Sequence, residues 1–237
     1  MKKFLDFWAM NSKKIYLVLL ALALIFPWVF NKPYIMNVAV LCFLYTTLSL
    51  SLNLVTGYMG QLSLGHAAFY GVGAYAGAIC ATRLGCDFLL TIVISAGVAA
   101  LVGLILSLPI LRLKGRYLAI VTLAFGEIIK SLVTNVYLGV DENGLHFSFL
   151  SDNTNLSETG VELIRGPVGV TNSARIATFT AGVVLVLVAL FVIFNLVNSR
   201  TGRAIMAARD NRIAAESVGI SATKYKLMAF VTSAVLA

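Results

Sequence analysis

A chain of 237 residues is long enough for one or two water-soluble domains, but 59% of it is apolar and only 12% is charged, against about 45–50% and about 25% in a soluble domain. No charge occurs in 15–31, 33–82, 88–111 or 176–199, and the mean hydropathy is +0.92. About 20 apolar residues cross the roughly 30 Å of hydrocarbon in a bilayer, so the fold class is an all-α, polytopic helical membrane protein.

The net charge of +8 does not mark a nucleic-acid binder, because the basic residues flank the apolar spans. Cys42, Cys80 and Cys86 have the spacing of neither a disulfide framework nor a metal site. None of the nine lysines lies in a phosphate-binding G-x-x-x-x-G-K-[ST] loop. His66 and His146 fall in separate predicted loops. The chain is expected to have no catalytic residues, no bound metal and no cofactor of its own.

Spans are predicted at 15–31, 34–56, 67–82, 88–108, 117–137 and 176–198, with a further one opening at about 222. The basic start followed by an apolar run imitates a signal peptide, but WVFNKP (28–33) offers no small-residue cleavage site, and 15–31 reads as an uncleaved first span. Thirteen Lys/Arg fall in 1–14, 109–116 and 199–226, and four fall in 32, 83–87 and 138–175. The positive-inside rule then places the N-terminus in the cytoplasm. The last apolar run stops at Ala237 without a polar flank, which suggests a chain truncated within a single transmembrane domain spanning 1–237.

Between the second and third spans lies GYMGQLSLGH (57–66). Gly57, Gly60 and Gly65 weaken a helix, while Gln61, Ser63 and His66 bring polar groups to the same place. Irregular backbone at membrane depth persists only where protein buries it or where it lines a cavity, so this segment is a candidate substrate path; a plain cytoplasmic turn is the alternative. Small residues then recur at Ala67, Gly71, Ala74 and Ala78, and Gly73 and Gly77 form a second pair, a pattern that lets helices pack closely.

Glu127 stands mid-span, where a charge costs about 2.5–3.5 kcal/mol on insertion scales, and Lys130 follows three residues later. The pair either neutralises itself and fixes packing, or Glu127 faces the path or holds the broken segment. The outer segment 138–175, with RGPVGV (165–170), is too long for a simple connector; its glycines encode turns, and it is expected to cap the path or meet an external partner, with a self-packed surface loop as the alternative. On the inner side, residues 203–218 suit a short helix, Gly219 suits the left-handed residue that ends it, and Ser221 or Thr223 suits the cap of the next span. A basic helix held by anionic lipid would use Arg203, Arg209 and Arg212, but it would not require the small residues Ala214, Ala215 and Gly219.

Three blocks, 51–78, 111–135 and 202–234, resemble permease subunits of branched-chain amino-acid ABC importers of the LivM type. The resemblance covers most of 38–237. It implies a subunit of the bacterial inner membrane that moves leucine, isoleucine or valine, with permeases for urea or short amides and stand-alone facilitators as alternatives. The implied partners are a second permease subunit, two cytoplasmic ATP-binding subunits that hydrolyse the ATP, an extracytoplasmic amino-acid-binding protein and membrane lipid. The 199–221 segment resembles the coupling loop E-A-A-x-x-x-G, with Gly202, Arg203, Arg209, Ala214, Ala215 and Gly219 as its residues. Ile213 stands where that pattern has Glu.

Overall fold

The computed structural model describes residues 32–83, 85, 87–110, 116–141, 144–149, 161–170 and 178–237; the predicted first span at 15–31 lies outside them. The helices are α1 (Pro33–Asn53), α2 (Ala67–Arg83), α3 (Phe88–Ile110), α4 (Arg116–Asn135), α5 (Phe179–Asn198), α6 (Arg200–Asp210), α7 (Arg212–Ser217) and α8 (Ala222–Leu236). A π-helical turn, Leu54–Tyr58, prolongs α1. Among the described residues, four helices are long and apolar enough to cross a membrane: α1 with its π turn, α3, α4 and α5. The predicted spans from 34 to 198 fall on α1 to α5. Pro33 opens α1 at the one helical position where its missing N–H costs nothing.

The chain divides into two compact units. In the first, the ring of Phe43 on α1 meets that of Phe179 on α5 edge-on at 5.1 Å. Gly182 admits the Phe43 ring, which would lie 3.1 Å from a Cβ there.

The second unit holds the remainder, and its core centres on Phe69, Phe230, Val55, Met59, Leu118 and Ile205. Phe69 meets Phe230 edge-on at 5.5 Å. α3 reaches α8 closely only because residue 103 is glycine, since a Cβ there would stand 2.7 Å from that of Ala234. The two small-residue rows on α2 do different things. Gly73 and Gly77 face Ala99 and Ser95 of α3, whereas nothing approaches Gly71 within 4 Å.

The outer segment, predicted only as a loop, contains a small sheet that qualifies the all-α expectation. β1 (Val136–Asp141) lies between β2 (Gly144–Phe149) and β3 (Val161–Arg165), antiparallel to both. The GPVG turns occur as predicted: Gly166 and Gly169 have φ of +38° and +85°, and the Gly169 N–H donates to Gly166 O at 3.2 Å. Gly166 sits against Tyr137 and the Thr134 carbonyl with no room for a Cβ, which fastens the turn to the end of α4.

The inner segment departs from the expected single helix over 203–218, because Asn211 divides it. Its backbone is extended there (φ −150°, ψ 104°) and its side chain accepts from the Ala214 N–H at 3.1 Å. Asparagine favours such a cap over a helix interior. Gly219 does end α7 in the left-handed region, at φ +82°. Ile220 N–H reaches Ala215 O, and Gly219 N–H reaches Glu216 O, the pair of bonds that closes a Schellman turn.

Overpacking a close helix crossing costs about 1–3 kcal/mol. Gly103→Val should therefore lower the melting temperature of the detergent-solubilised protein by several degrees. Gly97→Val is the control, since nothing lies within 4 Å of Gly97.

Candidate membrane-embedded site

The glycine-rich segment turns back into the helix bundle instead of passing across its end. Three helices serve as rulers, each rising about 1.5 Å per residue. The Ser51 hydroxyl, seven residues before the end of the π turn, lies 2.7 Å from His66 Nε2. Thr122, six residues into α4, accepts the Leu64 N–H on its hydroxyl at 3.1 Å. Ser233, eleven residues into α8, bonds to Ser51. These offsets put 64–66 about 9–16 Å inside the bundle. That depth explains why α2, which starts at Ala67, has only 17 residues.

Several backbone polar groups of this segment are taken up by protein, as membrane depth favours. Met59 N–H donates to Leu54 O and Gln61 N–H to Val55 O, each at 3.1 Å. Gly65 O and His66 O accept from Ala68 and Phe69. Gly65 itself lies against α4, where a Cβ would come within 1.9 Å of the Thr122 carbonyl oxygen.

A buried polar knot anchors the segment. The Ser51 hydroxyl donates to Ser233 O at 2.6 Å, and the Ser233 hydroxyl donates to Ser51 O at 2.7 Å. Since the Ser51 proton is committed to Ser233, His66 Nε2 must be the donor to Ser51 Oγ, and Nδ1 is left as an acceptor. Nδ1, Gln61 Oε1 and Ser63 Oγ are buried without a hydrogen-bond partner among the described residues. Sequence reasoning found His66 but missed Ser51 and Ser233, which read as ordinary small residues within apolar runs.

Glu127 does not hold the broken segment. Its carboxylate meets Lys130 Nζ at 3.4 Å, and both side chains are exposed, at 68% and 73%. It does border a groove of about 360 Å³ shared with Gly65, Ala68 and Gly71. Gly57, Gly60, Gln61, Ser63, Gly65 and His66 are thus gathered in one broken segment, and Glu127 lines the groove beside part of it.

The inner-face residues sort differently from their motif. Gly202 lets α6 cross the end of α5, where a Cβ would meet the Leu196 and Val197 carbonyls at 2.3 Å. Ala215 packs inside the helix pair with Ala208 and Ala222, so its smallness serves that internal contact and leaves it no part in an external one. Ala214 and Gly219 are exposed, and Ile213 and Val218 project, 81% and 73% exposed. Each arginine assigned to lipid has a partner within the chain: Arg203 reaches Asn198 O at 3.5 Å, Arg212 reaches Glu216 at 2.8 Å, and Arg209 reaches Gly57 O at 3.0 Å.

Long apolar helices around a broken, polar, glycine-rich segment define a multi-pass membrane protein of the permease class. The family "branched-chain amino acid transport system / permease component" matches residues 34–237, and the chain belongs to it. It is 34% identical over 96% of its length to the high-affinity branched-chain amino acid transport system permease protein LivM of Salmonella typhimurium, and 35% identical over 95% to the LivM protein of Escherichia coli. The chain spans 56% of the length of each. No solved structure matches it significantly.

Removing the Ser51 hydroxyl leaves His66 Nε2 unpaired in a buried site, at about 1–3 kcal/mol, and takes one of its two donors from the Ser233 carbonyl, which keeps the Ala237 N–H. Ser51→Ala and Gly65→Ala should each lower the melting temperature in detergent and speed proteolysis near 57–66, while Gly71→Ala should leave both unchanged.

Proposed function

We propose that this chain is a permease subunit of an ATP-driven importer for branched-chain amino acids in the bacterial cytoplasmic membrane, with its N-terminus inside. The observation that carries the reading is the α6–α7 pair within a chain of this family. The pair is closed by a Schellman turn, locked by Ala208, Ala215 and Ala222, and presents Ile213 and Val218 outward. Arg203, Arg209 and Arg212 each have a partner within the chain, which argues against a lipid anchor built on those three. The pair docks an ATP-binding subunit, and the two apolar projections supply the contact.

The substrate class follows that of the two LivM relatives, named as branched-chain amino acid permeases. A second permease subunit faces the α4 side of the groove, because a mid-span Glu127 exposed to lipid would be costly and a water-lined path or a protein neighbour removes that cost. Gln61 Oε1, Ser63 Oγ and His66 Nδ1 supply acceptors along the path. The outer sheet with its GPVG turn meets a binding protein that delivers substrate.

Orientation is tested by placing single cysteines at Val168 and Asn211 in a chain lacking Cys42, Cys80 and Cys86. An impermeant reagent on intact cells should label Val168→Cys alone; labelling of Asn211→Cys would invert the map. Docking is tested by co-purification from full-length chains. Ile213→Asp with Val218→Asp should reduce recovery of the ATP-binding subunit at least tenfold, a loss of about 1.4 kcal/mol or more in binding, without lowering the melting temperature, whereas undiminished recovery would refute this docking surface. Glu127→Gln should reduce uptake several-fold while expression is retained. Flux through the chain alone in liposomes without nucleotide would favour a facilitator.

A further inference from the structure

The Arg209 side chain joins the inner helix pair to the broken segment. Its Nη1 donates to Gly57 O at 3.0 Å, and Gly57 lies in the π turn. The last carbonyls of a helix lack intrahelical donors, and a cation beside them also suits the helix dipole. Arg209 is therefore the cap of α1, contributed from 152 residues away.

The same side chain fills the space left by Gly60. A Cβ on that residue would lie 2.5 Å and 2.8 Å from Arg209 Cγ and Cδ, and its φ of +69° already favours glycine. Asp210 accepts from the guanidinium at 2.9 Å and holds it in place. One helical turn earlier, Ile205 is buried with Val55 and Met59 at the two edges of the π turn, so α6 grips this part of the chain with one face. Its Ala208 holds α7 through Ala215.

We infer that Arg209 is the positioning residue that transmits displacement of the α6–α7 pair to the glycine-rich segment 57–66. The inference rests on the importer reading for what displaces the pair, but the contact itself does not depend on it. A load on α7 passes through the packed alanines to α6, and then through Ile205 and Arg209 to Gly57 and Gly60. Glycines at those two positions, one within the π turn and one just past it, leave a segment that can change shape without breaking a regular helix. The arginine thus has a task that neither lipid attraction nor ATPase contact would assign to it.

The test compares full-length wild type with Arg209→Met, which keeps much of the aliphatic stem but removes the donors, and with Arg209→Lys, which keeps a charge. Amide hydrogen exchange is measured in nanodiscs, with and without the ATP-binding subunit. The Met variant alone should exchange roughly fivefold faster or more across 57–63, with α3 and α4 unchanged and the melting temperature within a few degrees of wild type; Lys should be intermediate. Binding of the ATP-binding subunit should alter exchange across 57–63 in wild type and not in the Met variant, although both retain the subunit. In proteoliposomes, uptake per ATP hydrolysed should fall at least roughly fivefold in the Met variant. Unchanged exchange across 57–63 in the Met variant, or wild-type coupling with that contact removed, overturns the inference. A wild-type chain that retains no ATP-binding subunit counts against the importer reading, and the exchange of the chain alone still decides the contact.

Discussion

A chain that leaves a helix inside a membrane has to find protein partners for its backbone polar groups, because lipid offers none. Met59, Gln61, Leu64, Gly65 and His66 each place a backbone group on a protein partner, and the architecture around them follows from how they do it. The π turn keeps bonds running from Met59 and Gln61 back to Leu54 and Val55. A threonine on α4 takes the Leu64 N–H. The Ser51–His66–Ser233 knot ties the re-entrant stretch to α1 and α8. Remove any of these and the segment must either move out to the bilayer surface or leave polar groups bare.

The glycines have separate purposes within this scheme. Gly65 permits contact between two backbones and Gly103 between two helices, so what matters at both is the missing side chain. Gly60 and Gly219 sit at positive φ, so what matters there is conformation. At Gly60 the two requirements coincide, with the Arg209 stem occupying the space a side chain would take. Ala215 shows the converse. It stands in the segment that resembles a coupling loop, yet it packs against Ala208 and Ala222, and the outward surface belongs to its larger neighbours.

The proposed coupling runs from the α6–α7 pair to the broken segment through packed side chains and a hydrogen bond, the kind of contiguous network that can carry it. Here the connection is short: α7 on α6, then α6 on the π turn through Ile205 and Arg209. The outer sheet is attached separately at the far end of α4, where Gly166 seats against Tyr137 and Thr134. The segments after α5 and after α4 are therefore built from different materials: the first is a pair of capped helices, and the second is a three-stranded sheet clipped on by a turn.

Hydropathy along the chain determined the class of protein and the limits of α1 to α5, because lipid imposes one local requirement on every residue of a span. Turn chemistry was equally local, so the left-handed Gly219 and the turns at Gly166 and Gly169 were readable from their neighbours. The resemblance of three blocks pointed to the family that the comparison of the whole chain then showed. What only the tertiary structure decided were contacts between residues far apart in sequence. Ser51 and Ser233 carry no local sign of a shared hydrogen-bond knot, and Arg209 looks like any basic residue of an inner loop. The depth of His66 and the inward face of Ala215 likewise depend on which helices lie alongside. Sequence fixes a residue's own preferences, but a hydrogen bond spanning 152 or 182 positions exists only once packing has chosen its partner.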